Sequence, residues 1–344
     1  MDFCLGLPFN KALFDFLEKF NDLIKSQYWK NVQMYFLTKE DAQYAQWVLE
    51  MLTANNRPFA ALDAAANYLQ TIAKDAEISN EVLLKILEQT MVNPEDIKTI
   101  RQDMLSYDFS LILKRITADE KIDQSRIARI EWFYMPFFGN GETHPKILTS
   151  EVLRNPGFLV ELICFMFKAD PPIDNEFSGI PSAVLESRAL NAHRLIGLVN
   201  SIPGQKNTSE IDLNELDTWV KQVRELCAQK NRKRIGDEII GQILSHSPIG
   251  KDTIWQHEAV RDIIERYCSH DIEQGLEVGR FNQRGVITKS LTEGGEQERK
   301  IAANYESQAE LIRYKFPRTA SMLKRMADTY KRDAIREDRD KELM

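Results

Sequence analysis

Cysteine is scarce and scattered: Cys4, Cys164, Cys227 and Cys268 stand apart in 344 residues, with no CxxC pair among them. That spacing excludes a zinc ribbon and a disulfide framework, and it suits a reducing, cytoplasmic setting. Long apolar runs are missing as well. The most apolar stretch, Phe158 to Phe167, contains Glu161 and is about half a membrane span, so no membrane segment is expected. The opening MDFCLGLPFNK has no basic residue ahead of its apolar ones, unlike a secretion signal. Met1 to Leu7 is already mostly apolar, which suggests a chain cut from a longer protein.

Positive charge is in deficit. The 45 Lys and Arg against 52 Asp and Glu give a net charge of -7, which argues against wholesale polyanion binding and leaves only local basic patches for phosphate contact. Nucleotide-loop signatures are also lacking: Gly250-Lys251 runs into Asp252 without the earlier glycine, and Gly139-Asn140-Gly141 runs into His144-Pro145 with no strand before it. His257-Glu258 starts like a zincin helix, but position 261 is Arg, so the second histidine ligand is absent. His246, His257, Cys268 and His270 share no ligand spacing, and Cys227 with His193 makes no legible nucleophile and base. No metal, cofactor or catalytic residue is assigned.

What the chain does have is helical periodicity and the composition of a folded protein, 43% hydrophobic and 28% charged. Its length exceeds one hydrophobic core of roughly 250–300 residues, so two domains or an elongated repeat array are expected. Leu13, Phe14, Leu17, Phe20, Leu23 and Ile24 repeat at three and four residues after Asn10 and predict one amphipathic helix. Thr38 with Asp41 resembles a capping box, and Asn55-Asn56 and Pro58 separate two further helices. Asn93-Pro94-Glu95-Asp96 combines a cap, a first-turn proline and an acidic first turn. Helices follow around Phe109 to Ile116, Ile127 to Tyr134, Pro156 to Phe167 and Pro181 to Val199, with loops at Gly139-Asn140-Gly141 and Pro171-Pro172. Asp212 and Glu215 cap the helix that carries Trp219, and helical spacing then continues to the charged tail.

The predicted fold is all-α, an irregular, α-solenoid-like helical-repeat array of antiparallel helix hairpins. Its expected divisions are an N-terminal helical-repeat region, 1–140; central helices and loops, 141–205; and a C-terminal helical region, 206–344. The hairpin from Ala42 to Ala65 is similar to a tetratricopeptide-type unit without its full motif.

The segment from His270 to Lys300 departs most from helix-forming composition. It holds five of the fifteen glycines, Gly275, Gly279, Gly285, Gly294 and Gly295. Gly275 and Gly279 lie one turn apart and form a groove where another helix can lie close, while Gly285 is placed to end that helix. Arg280, Asn282 and Arg284 beside them are candidates for contact with an anion or an acidic partner. Lys230, Arg232, Lys233 and Arg234 form a second candidate cluster, for phosphate or for a helix C-terminus. Arg313, Lys315, Arg318, Lys324 and Arg325 could extend a basic surface, diluted by Glu310, Asp328 and Asp333. Gly279→Leu is expected to disturb packing, and Arg284→Ala to spare the fold while weakening a partner.

Gln27-Tyr28-Trp29, Asn56 to Leu62, Ile130 to Tyr134, Arg280 to Gly285, Glu293 to Arg299 and Pro317 to Ala320 together resemble the C-terminal helical region of large, poorly characterised bacterial proteins, some associated with phage defence. The resemblance implies an excised C-terminal portion and carries over no functional residue. The leading expectation is a non-catalytic helical scaffold for a protein partner. Nucleic-acid binding, with steep salt dependence, and an enzyme with scattered groups are the alternatives.

Overall fold

The computed structural model describes residues 2–5, 7, 10–32, 42–71, 78–92, 102–138, 143–207, 210–285, 288, 290 and 293–342. Thr38 and Asp41 aside from their helix, Asn93 to Asp96, and the Gly139-Asn140-Gly141 turn lie outside these residues. Regular secondary structure among the described residues is almost wholly helical, as the apolar spacing predicts. Two compact units divide the chain, residues 1–148 and residues 149–344. No helix among the described residues is long and apolar enough to cross a membrane.

In the first unit α1 is Asp2–Leu5, α2 Lys11–Leu17, α3 Asp22–Asn31, α4 Ala42–Ala54, α5 Pro58–Thr71, α6 Asn80–Val92, α7 Gln102–Thr117 and α8 Gln124–Phe133. The single amphipathic helix expected after Asn10 is two. Asn10 caps α2 by accepting from the Leu13 N–H, and Asn21 caps α3 by accepting from the Ile24 N–H, so a second start signal interrupts the apolar stripe. Small alanines 61, 64, 65 and 66 of α5 are buried, which lets α4, α6 and α7 pack around it. Phe109 of α7 stacks on Tyr134, ring centroids 4.1 Å apart, and the Tyr134 hydroxyl pairs with Thr90 of α6 at 2.5 Å. Arg126 of α8 clamps Glu81 and Glu88 of α6. Glu131, fully buried on α8, accepts the Ile147 and Leu148 N–H groups at 3.2 and 2.8 Å. These are free donors at the start of α9 (Lys146–Arg154), a helix that sequence periodicity did not single out.

The second unit contains α10 Pro156–Met166, α11 Ser182–Leu198, α12 Leu213–Gln229, α13 Lys233–Leu244, α14 Glu258–Tyr267, α15 His270–Gln283, α16 Glu296–Ile312 and α17 Pro317–Glu342. A short antiparallel hairpin of β1 Gln205–Asn207 and β2 Glu210–Ile211 precedes α12. Asp212 caps α12 as its spacing predicts, accepting from the Asn214 and Glu215 N–H groups. α10 packs on α11, α12 and α13, and α12 packs on α13 and α14.

α13 and α15 pack closely, and glycine is what permits it. A methyl placed on Gly241 would overlap the Ile272 carbonyl oxygen and come within 2.8 Å of Gly275 Cα; one placed on Gly275 would overlap the Glu238 carbonyl oxygen. Glu238 and Gly241 lie against Gly275, and Gln242 and Ser245 against Gly279, so the two helices run parallel. The groove anticipated at Gly275 and Gly279 is thus filled by α13. α15 ends at Gln283, with Arg284 as its C-cap and Gly285 at φ +64. α16 and α17 form an antiparallel hairpin, pairing Arg299 with Asp338 at one end and Tyr305 with Tyr330 further along.

Candidate functional site

Buried charge in the second unit is consumed in ion pairs, and those pairs decide which cations remain for a ligand. Arg224 grips buried Asp237 at 2.7 and 3.0 Å, which also accepts from Ser269. Arg261, with a fully buried side chain, holds Asp252 and the Gln256 and Ile254 carbonyls, fixing the loop before α14. The Asp252 carboxyl is held below its ordinary range, first by the Arg261 hydrogen bonds. Arg318 and Arg325 of α17 meet on Glu273 of α15, which is 3% exposed, and Arg325 reaches Glu277 as well. The basic surface considered for Arg318 and Arg325 is therefore an internal clamp between α15 and α17.

The Lys230 to Arg234 cluster divides in the same way. Arg232 is no phosphate ligand: its side chain is fully buried, bidentate to Glu176 at 2.6 and 2.9 Å, and donates to the Phe167, Lys230 and Cys164 carbonyls. Five donors in a fixed fork suit it to tie three main-chain carbonyls and one carboxylate together. Lys230, Lys233 and Arg234 are exposed, and Arg234 pairs with Glu238 at 2.9 Å. Ser245, beside Gly279, is one α13 length from Lys233, about 18 Å at 1.5 Å per residue. The two candidate clusters form no common site.

At the end of α15 the surroundings differ. Arg280 is half-buried with its guanidinium 4.8 Å from the Trp255 ring centroid. Its Nε donates to Tyr305 Oη at 3.4 Å and its Nη1 to Gln283 Oε1 at 3.3 Å, and among the described residues it has no carboxylate partner. Arg284, one turn on, donates to buried Glu298 at 2.8 Å and lies 5.5 Å from the Tyr330 ring centroid. Tyr305 and Tyr330, both nearly buried, stack with centroids 6.0 Å apart. Burial raises the Tyr330 phenol above its usual value. Arg280, Arg284, Lys300, Asn304, Tyr305 and Tyr330 line an open cleft of about 420 Å³. This cleft offers one cation on an aromatic platform that no internal acid neutralises.

Asn282 points to a different place. It is exposed and, with Gln283, borders a second cleft on the α13 side of α15. Among the residues considered as metal ligands, His257 is buried as the cap of α14, its Nδ1 accepting from the Ala259 N–H at 3.1 Å. Among the described residues no group of three His, Cys, Asp or Glu side chains converges as a metal-holding set. Cys227 packs against Gly236, and burial pushes its thiol up to about 12.

Sequence reasoning found Arg280 and Arg284 but missed Trp255, Lys300, Tyr305 and Tyr330. Tyr305 and Tyr330 sit on the buried stripes of α16 and α17 and read as ordinary core positions, and only the hairpin's docking on α15 assembles them. Comparison with known protein families, curated proteins and solved structures returns no match.

Proposed function

We propose that this chain is a non-catalytic, cytoplasmic helical scaffold that binds a protein partner, taking a partner carboxylate at Arg280 in the cleft between α15, α16 and α17. The observation that carries this reading is the state of Arg280. Its charge is half-buried and held on Trp255 without an acid, whereas Arg224, Arg232, Arg261, Arg284, Arg318 and Arg325 each hold one. An aspartate, a glutamate or a chain-terminal carboxylate from a partner supplies the missing charge-assisted bonds, and Tyr305 and Tyr330 provide an amphipathic wall of the kind enriched at interfaces. A protein partner is favoured over nucleic acid because the net charge is -7 and Arg232, Arg318 and Arg325 are withdrawn into internal pairs. About 18 Å of α13 separates Lys233 from the Gly279 turn of α15 that precedes Arg280. The same proposal makes the chain part of a larger bacterial protein, as the sequence resemblance implies.

The test is affinity capture by wild type and by Arg280→Gln, with and without nuclease, after both are shown to melt alike. A protein recovered by wild type, retained after nuclease and lost from Arg280→Gln supports the reading. Recovery that depends on intact nucleic acid, or that is equal for both proteins, overturns it.

A further inference from the structure

The second cleft, walled by α10, α11, α13 and α15, has a volume of about 410 Å³, within the roughly 300–1,000 Å³ range of small-molecule sites. Its lining contains no carboxylate, ammonium or guanidinium. Ile196, Ile239 and Ile243 form a buried aliphatic floor. Around it stand His193, Gln242, His246 and Asn282, and no side-chain hydrogen bond joins any of these four to another described residue. By contrast Gln283 and Ser245, at the same rim, satisfy each other at 2.7 Å. Gln242 and His246 are half-buried, so their open valences lie where water has limited access.

We propose that this cleft binds a neutral nitrogen heterocycle of the nucleobase class. Each free amide presents a donor and an acceptor in one plane, the pattern by which Asn and Gln pair bidentately with the edge of a purine. An aliphatic floor takes the flat face of such a ring, and an uncharged rim offers nothing to a phosphate or a carboxylate. Burial, aided by the Arg280 charge, holds the His246 imidazole below its usual range, so at neutral pH it adds one donor and one acceptor rather than a charge. Asn282, one of the residues singled out beside the glycines, is thereby a ligand contact of this cleft and not of the cationic one. The inference does not rest on the proposed partner site, with which this cleft shares Gln283.

The full chain is titrated with adenosine, guanosine, cytidine and uridine, and with their 5′-monophosphates, by calorimetry and ligand-observed NMR, using wild type, Asn282→Leu and Gln242→Leu. The expected result is saturable binding of at least one nucleoside, changed by less than about twofold by added salt and no tighter for the monophosphate. Asn282→Leu, at an exposed position, and Gln242→Leu each weaken binding by about tenfold or more, with melting unchanged. The proposal is overturned by the absence of saturation with any nucleoside at ~5 mM. It is equally overturned by binding that survives both substitutions, or by binding of monophosphates alone that salt abolishes, which places the ligand on the cationic cleft.

Discussion

Replacing Gly275 with alanine tests the packing that positions both clefts. The added methyl would overlap the Glu238 carbonyl oxygen and approach Gly241 Cα to 3.0 Å. Both obstacles are backbone, so no side-chain rotation relieves them, and α13 and α15 must separate by about 1 Å. A gap of that size forfeits a quarter to a half of each interhelical dispersion contact. Overpacking costs of about 1–3 kcal/mol therefore apply at their upper end, offset by about 1 kcal/mol gained from alanine's helix propensity. The net expectation is a loss of about 2 kcal/mol, or about 1 M in urea midpoint at a slope near 2 kcal/mol/M. Gly197→Ala is the matched control, since a methyl there meets nothing within 4 Å, and it should stabilise α11 by up to about 1 kcal/mol. Urea unfolding combined with hydrogen exchange on α13 and α15 makes the measurement. If Gly275→Ala is as stable as Gly197→Ala, the close crossing is not what holds α15 in place.

Other consequences follow from the ion pairs and the buried acids. Arg232→Met strands Glu176 and three carbonyls and should cost about 3 kcal/mol or more in chemical denaturation, whereas exposed Lys233→Met should stay within about 0.5 kcal/mol. Arg284→Ala, expected from sequence to spare the fold, should instead destabilise by about 2 kcal/mol because it leaves buried Glu298 without this partner, and melting curves will show it. Burial raises Glu131 from 4.5 to about 7, so its proton is bound more tightly in the folded chain. Its contribution to stability is full below about pH 4.5 and is lost as pH rises through about 7, a ceiling of about 3 kcal/mol. Glu131→Gln should remove that part of the slope between about pH 4.5 and about pH 7, read from thermal melts followed by circular dichroism.

Local signals carried much of the fold. The caps at Asn10 and Asp212, the helix end at Gly285, and the close approach at Gly275 and Gly279 each rest on a few neighbouring residues, which is why they were legible. The break at Asn21 was not, because an apolar stripe that continues across a cap has the same spacing as an unbroken helix. The site was half legible. Arg280 and Arg284 stood out beside glycines, but which arginine is neutralised depends on Glu298, Glu176 and Glu273, whose positions follow from tertiary packing alone. Arg232 looked like a surface cation in a basic run and is the most deeply buried of that run.

The proposed role of Arg280 is to receive a carboxylate from a protein partner. A photo-cross-linking residue placed at Asn304, in the cleft beside Tyr305, reports what arrives there in cells expressing the chain. The expected result is cross-links to one protein segment carrying an aspartate, a glutamate or a terminal carboxylate, and their loss when Arg280→Gln is introduced in the same chain. Cross-links to nucleic acid, or protein cross-links undiminished by Arg280→Gln, would contradict it.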